Sequence, residues 1–291
     1  MARYKRFINR NIDDSDMTGS IQFGVSRFVL GWAYLGINVV GSLIVPLEYV
    51  NTREFQNNDN FLKQNMYFII WIKTIFAKYM GVWLLADGAL AITGLGYNGR
   101  DRKEWKILWD GVCNVKPLAY ENCSKFMDLV ESFNITTNVW CKNYVYKRCR
   151  ILGFKGLSHA ITLAFLAIWH GLCSGYFLSF FLEIFPITFE KQILGLCETS
   201  PFMKQVLTRH SWLKDIFKFL GRCYFLFFLP HCLAPFVLIR FKSYMPVLWS
   251  TNFLVVTVFG SWFVLKYSFE RLMSQRRSIE TNGVASRKKK N

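Results

Sequence analysis

Residues 158–182 read SHAITLAFLAIWHGLCSGYFLSFFL, and this stretch contains no Asp, Glu, Lys or Arg. An α-helix needs about 20 apolar residues to cross the hydrocarbon core of a bilayer. Residues 28–47, 223–239 and 243–265 form three more stretches without these charged residues. A fifth stretch, 66–97, is long and apolar but contains charged side chains, so we expect it to bend or to lie partly inside the protein. The pattern predicts an all-α, polytopic integral membrane helical bundle.

The composition of the chain agrees with a membrane protein. Apolar residues make up 52% of its 291 residues and aromatic residues 18%, which is more than the core of a soluble protein of this size requires. The N-terminal segment 1–16 lacks the apolar centre of a signal peptide. Polar residues 98–133 retain several aromatic side chains, a pattern that favours short helices at the membrane interface. A single membrane-embedded domain over residues 1–291 is the simplest organisation.

The formal net charge is +17, from 36 basic and 19 acidic residues. Nucleic-acid binding is one explanation of such a charge, but an excess of Lys and Arg in the cytoplasmic flanks of membrane helices is a simpler one. We therefore predict no nucleic-acid partner. Membrane lipids or an anionic substrate are the expected partners of the basic groups. The eight cysteines lack the spacing of a metal site or of a disulfide framework, and no metal is predicted.

His170 lies near the middle of the uncharged stretch 158–182. An ionisable group in a membrane helix is costly in free energy, so it is a functional candidate by default. A structural histidine that donates a hydrogen bond across a helix bundle is the alternative. Position alone does not separate the two interpretations.

Asn134 is the second polar candidate, in the sequence SFNITTNVW of residues 132–140. Three other roles are open to it: a helix N-cap, a packing amide, or an N-glycosylation acceptor, because Asn134-Ile135-Thr136 fits the N-x-[ST] pattern. Asn138 lies one helical turn further on, so both amides could face the same cavity. The spacing does not decide which of the two takes part in chemistry.

Three motifs belong together: WHGLCSGY at 169–176, FNI at 133–135 followed by TNVW at 137–140, and LGYNG at 95–99. They resemble motifs of the membrane-bound O-acyltransferase family, and within it of the lysophosphatidylcholine acyltransferases. The resemblance covers nearly the whole chain. Members of the family have further transmembrane helices before the region that matches Met1, so the chain resembles their C-terminal portion and is expected to lack the family's N-terminal helices. The resemblance implies that His170 is catalytic and that Asn134 is its partner.

The implied reaction transfers an acyl group from acyl-CoA to the free hydroxyl of a lysophospholipid in phospholipid remodelling. Lysophosphatidylcholine is the first expected acceptor, with lysophosphatidylserine and lysophosphatidylethanolamine as others. An imidazole with a reference pKa of about 6.5 is suited to accept the hydroxyl proton as general base. Asn134 is suited to orient the substrate or to donate a hydrogen bond to the thioester oxygen. Acyl-CoA is a co-substrate, and no bound cofactor is expected.

The basic residues Lys142, Lys147 and Arg148 follow Asn134 in the sequence and are candidates to bind the CoA phosphates. Two alternatives to the lysophospholipid reaction remain open. One is an O-acyltransferase of the same superfamily that acts on a peptide or a sterol. The other is a non-catalytic multi-pass membrane protein in which His170 is structural.

The C-terminal residues Lys288-Lys289-Lys290-Asn291 match the dilysine pattern K-K-x-x. Such a signal is read by the vesicle-coat machinery that returns proteins to the endoplasmic reticulum, in the way that other C-terminal addresses are read by receptors. The pattern predicts a multi-pass protein of the endoplasmic reticulum membrane. It also predicts that residues 271–291 form a basic tail on the cytosolic side.

Overall fold

The computed structural model describes residues 14–58, 60–101, 106–201, 205–206 and 209–288, and among these residues it contains no β-strand. Its main helices are α1 (Asp14–Ile44), α2 (Phe61–Ile92), α3 (Pro117–Glu121), α4 (Phe126–Ser132), α5 (Ile135–Cys141), α6 (Lys155–His170), α7 (Ser174–Thr199), α8 (Ser211–Leu238), α9 (Phe241–Ser250) and α10 (Leu254–Lys288). Shorter helical turns are Tyr49–Asn51, Arg53–Gln56, Lys147–Cys149 and Arg150–Leu152, and Lys142–Tyr146 is a π-helix. The predicted all-α fold is confirmed.

Three helical segments in the described part of the chain are long and apolar enough to cross a membrane: Gly19–Asn51, Phe61–Ile92 and Trp212–Leu238. They correspond to three of the apolar stretches in the sequence. α2 is a single helix in spite of its charged side chains. It lies partly inside the protein, which was one of the two expectations for residues 66–97. Lys73 and Asp87 have polar partners within the fold, in Glu121 and the Asn114 N–H, whereas Lys78 is exposed.

α1 and α2 pack closely because glycines face each other along their contact. A Cβ atom on Gly88 would lie 2.8 Å from the Gly24 carbonyl oxygen, and one on Gly31 would lie 3.1 Å from the Gly81 carbonyl oxygen. Small residues allow two helix backbones to approach where an apolar environment supplies no other driving force. The seven-residue spacing within each helix keeps these glycines on one face, so the two helices form a tight pair.

The core is formed by aromatic and aliphatic side chains of α2, α4 and α8. Phe68 and Trp71 of α2 are fully buried, and their rings lie 5.5 Å apart. Phe126 of α4 and Leu229 of α8 are buried in the same cluster. His231 of α8 is also fully buried and contacts the Phe68 ring edge-on at 5.0 Å. The short helix α4, which the sequence predicts to lie at the membrane interface, is therefore part of the core and is not a loosely attached surface element.

Residues 158–182 do not form a single membrane helix. α6 ends at His170, and α7 begins at Ser174. Gly171 has a φ of 134°, a conformation that favours glycine, and its N–H donates to the carbonyl oxygens of Ala167 (3.1 Å) and Ile168 (3.0 Å). The expectation that His170 lies in the middle of one helix is wrong, because hydropathy does not register the backbone break. His170 is instead the last residue of α6.

The apolar residues 243–265 are also divided. α9 and the segment Leu254–Arg271 of α10 meet at an angle of 61°, and they qualify as a fourth span only as a bent pair. Asn252 and Phe253 at the bend both have positive φ angles, of 53° and 49°. α10 continues as a helix to Lys288. The side chains of residues 272–288 and all of residues 289–291, with the dilysine pattern, lie outside the described part of the structure.

Gly175→Ala is expected to destabilise the fold where α7 meets the end of α8. A Cβ atom at Gly175 would overlap the Pro235 carbonyl oxygen and would lie 2.7 Å from the Ile239 carbonyl oxygen. Overpacking of this kind costs about 1–3 kcal/mol in the free energy of unfolding. The measurement is the Tm of the detergent-solubilised protein. Gly195→Ala in the same helix is the control, because no atom lies within 4 Å of its Cβ position. Equal Tm values for the two variants would contradict the packing described here.

Candidate functional site

The His170 side chain is half-buried at the C-terminal end of α6. Aromatic rings surround its imidazole, with centroid distances of 4.9 Å to Trp169, 5.5 Å to Tyr176, 5.9 Å to Phe180 and 4.9 Å to Phe236. Among the described residues, no protein group forms a hydrogen bond with its ring nitrogens. The histidine is thus oriented by ring packing from α7 and α8, while its nitrogens remain available to a ligand.

Asn134 precedes α5 in a left-handed conformation with a φ of 54°. Asparagine tolerates this conformation better than most residues. Its side chain does not cap α5, although it occupies the N-cap position, so the capping interpretation is wrong. Its Oδ1 atom instead accepts a hydrogen bond from Asn114 Nδ2 at 3.5 Å. The amide of Asn134 is therefore oriented from outside its own helix.

Asn138 has a different role from Asn134. Its Nδ2 atom donates to the carbonyl oxygens of Val130 (2.9 Å) and Phe133 (3.0 Å). Carbonyl groups in the last turn of a helix have no partner within that helix, and Asn138 satisfies two of them at the end of α4. Both amide protons of Asn138 are therefore occupied by backbone, whereas the described residues show no acceptor for those of Asn134.

A cavity of about 290 Å³ separates α5 from α6. Its lining residues are Thr136, Thr137, Trp140, Cys141, Phe165 and Trp169. The rings of Trp140 and Phe165 stack across the helix contact at 6.0 Å. Thr136 lies two residues after Asn134, and Trp169 precedes His170. No hydrogen bond joins the His170 ring to the Asn134 amide among the described residues, so the structure brings their helices together at the cavity without direct contact.

Two thiols near this site have a raised pKa. Burial and the neighbouring Asp87 carboxylate raise the pKa of Cys113 to about 12. Burial also raises the pKa of Cys141, which lines the cavity. The thiolate is the nucleophilic form of cysteine. Neither residue is therefore suited to carry a covalent acyl group.

Lys142, Lys147 and Arg148 lie immediately after α5 and are exposed. Lys142 begins the π-helix Lys142–Tyr146, a rare conformation that is frequent at functional sites. Within the described residues, none of the three cations pairs with a carboxylate. The helical segment that begins at Asn134 thus continues into an exposed basic surface.

The motifs do not identify Asn114, which the structure places at the centre of this region. Its N–H donates to Asp87 Oδ1 (3.2 Å), and its carbonyl oxygen accepts from Ile135 N–H (3.0 Å). Its Oδ1 atom accepts from Thr136 N–H (2.9 Å), and its Nδ2 contacts Asn134. Asp87 was the one feature of the sequence that pointed to such contacts, because a carboxylate in an apolar helix requires polar partners. The sequence does not say which loop residue supplies them.

Comparisons with known proteins relate the chain to one family. The membrane-bound O-acyltransferase family matches residues 1–231. The chain is 32% identical to lysophospholipid acyltransferase 5 of Drosophila melanogaster, over 92% of its own length and 53% of the relative's. It is 30% identical to lysophospholipid acyltransferase 5 of Mus musculus, over 96% and 58%, and 29% identical to the lysophospholipid acyltransferase of Schizosaccharomyces pombe, over 82% and 47%. The chain spans about half the length of these relatives.

We expect no glycan on Asn134, because its amide is half-buried and bound to Asn114. An endoglycosidase should therefore cause no electrophoretic shift that Asn134→Gln abolishes. Asn122→Gln is the matched control, since Asn122-Cys123-Ser124 is a second acceptor pattern and the Asn122 side chain is exposed. A shift that disappears only in Asn134→Gln would place this residue on the lumenal surface and would exclude it from the site.

Proposed function

Because the chain belongs to the membrane-bound O-acyltransferase family, we propose that it transfers an acyl group from acyl-CoA to the free hydroxyl of a lysophospholipid. The relatives named above carry the name lysophospholipid acyltransferase, which supports this class of acceptor. The observation that carries the proposal is the setting of His170. Its ring is fixed by four aromatic side chains, its nitrogens have no protein partner among the described residues, and the cavity begins at the adjacent Trp169. Lysophosphatidylcholine is the proposed first acceptor, with lysophosphatidylserine and lysophosphatidylethanolamine as others.

In the proposed reaction, His170 acts as general base. Its imidazole accepts the proton of the lysophospholipid hydroxyl while the hydroxyl oxygen attacks the thioester carbon. The new C–O bond replaces the C–S bond, and the CoA sulfur leaves with the electron pair and receives the proton from the imidazolium. The surrounding aromatic rings limit the access of water, which would otherwise compete with the hydroxyl as nucleophile.

Asn134 is the proposed hydrogen-bond donor to the carbonyl oxygen, on which negative charge develops as the hydroxyl attacks. A donor held in place before the reaction stabilises that charge without further reorganisation. Its location at the start of α5, across the cavity region from α6, supports this role. Acyl-CoA is a co-substrate in this scheme, and no bound cofactor takes part.

The exposed cations Lys142, Lys147 and Arg148 are the proposed contacts of the CoA phosphates. They extend from the same helical segment as Asn134, so a CoA bound there would direct its thioester towards the cavity. We further propose that the protein resides in the endoplasmic reticulum membrane with its C-terminus in the cytosol. The dilysine pattern supports this location through retrieval by the vesicle-coat machinery.

His170→Ala should lower acyltransferase activity by at least about 100-fold, the usual contribution of a general base. The assay uses membranes from cells that express the chain alone, or preceded by the N-terminal part of the mouse relative, with a panel of lysophospholipids and acyl-CoAs. His159→Ala at the other end of α6 is the matched control and should retain activity. Activity that survives His170→Ala would contradict the base assignment. Absence of activity with every lysophospholipid in both arms would contradict the proposed function.

Reversal of the basic charges in the triple variant Lys142→Glu, Lys147→Glu, Arg148→Glu should raise the KM for acyl-CoA by about tenfold or more, because attraction of the CoA phosphates becomes repulsion. kcat should change little, since these groups do not contact the reacting atoms. The control reverses Lys214 and Lys218, two exposed lysines of α8. The effect should weaken as salt concentration rises. An unchanged KM in the triple variant would exclude this surface as the CoA site.

A further inference from the structure

The orientation of the Asn114 amide follows from the group that it faces. A backbone N–H can only donate a hydrogen bond, so the Asn114 atom that contacts Thr136 N–H at 2.9 Å must be its oxygen. The nitrogen Nδ2 then lies on the other side and faces Asn134, at 3.5 Å from Oδ1. The Thr136 N–H at the start of α5 fixes the position of the Asn114 oxygen, so the Asn114 amide has one orientation.

The Asn134 amide is oriented in turn by Asn114. If it were reversed, two NH₂ groups would face each other and neither would have an acceptor. We propose that Asn114 is a positioning residue that selects the orientation of the Asn134 amide, so that Asn134 Nδ2 is presented to the oxygen of the acyl thioester. The inference rests on the acyltransferase function proposed above. It adds a residue that acts through Asn134 and does not contact the substrate.

Asn114 is suited to this role because rigid elements hold its backbone. Asp87 of α2 accepts its N–H at 3.2 Å, and Ile135 donates to its carbonyl oxygen at 3.0 Å. An isolated antiparallel bridge joins the following residue, Val115, to Phe133. A residue fixed by a long helix and a backbone bridge can impose one orientation on its neighbour. A group in a catalytic site must be held close to its productive geometry to contribute fully.

Asn114→Asp separates positioning from folding. The aspartate has the same shape, and one of its oxygens can still accept from Thr136 N–H. Its other oxygen takes the place of the Asn114 NH₂ group and can only accept a hydrogen bond. This oxygen attracts Asn134 Nδ2 and therefore reverses the Asn134 amide. Asn134 would then present its oxygen to the substrate carbonyl. We expect kcat to fall by about 100-fold, as when one donor to a developing oxyanion is lost, with an unchanged KM for acyl-CoA and an unchanged Tm.

The experiment measures kcat, KM and Tm in the same membranes for Asn114→Asp, Asn134→Ala and the double variant, with the exposed Asn122→Asp as the matched control. Because Asn114 acts through Asn134, Asn114→Asp should cause no further loss of kcat in the Asn134→Ala background. This pattern, with Asn122→Asp unchanged in kcat and Tm, supports the proposal.

Two results would overturn the positioning role. A fall in Tm that accompanies the loss of kcat would make Asn114 a structural residue. A normal kcat in Asn114→Asp, while Asn134→Ala is impaired, would remove Asn114 from the reaction and leave the proposed function intact. If instead the unaltered protein acylated no lysophospholipid, the proposed function itself would be wrong. Failure of the positioning role and failure of the proposed function thus give different results.

Discussion

The hydrogen bond from Asn114 N–H to the Asp87 carboxylate attaches the segment that carries Asn134 to the long helix α2. A carboxylate in an apolar helix needs polar partners, and the loop before α3 supplies one. A second attachment lies 14 residues earlier in α2, where Lys73 pairs with Glu121 at 2.8 Å. Tyr34 of α1 donates to the same carboxylate at 3.0 Å. Together these contacts hold residues 113–121 against the tight α1–α2 pair, and the start of α5 is positioned from there.

His170 depends on a different group of helices. Gly171 ends α6, and the backbone N–H of Gly175 at the start of α7 donates to the Ile239 carbonyl oxygen at 3.1 Å. The absence of a side chain at Gly175 allows the start of α7 to approach the end of α8 closely. This approach places Phe236 of α8 against the His170 ring. The orientation of the imidazole is therefore a consequence of helix packing around the break.

The two candidate catalytic residues thus come from separately braced parts of the fold. Asn134 is held through α2 and the loop that contains Asn114, whereas His170 is held through α7 and α8. The stacked rings of Trp140 and Phe165 join the two parts beside the cavity. The cavity between α5 and α6 therefore lies between one helix that follows Asn134 and another that ends at His170. Small shifts of α5 against α6 would change that space directly.

Hydropathy along the chain was sufficient to predict α1, α2 and α8, because the need to bury long apolar stretches is a local property of the sequence. The motifs around residues 134 and 170 were likewise sufficient to select the two candidate residues. Three features required the folded chain: the break at Gly171, the separate role of Asn138, and the hydrogen bonds of Asn114. A backbone turn at glycine leaves hydropathy unchanged, and the hydrogen-bond partners of an asparagine depend on where other segments end. Those contacts are set by long-range packing, so only the tertiary structure distinguishes Asn138, which closes the end of α4, from Asn134, which binds Asn114.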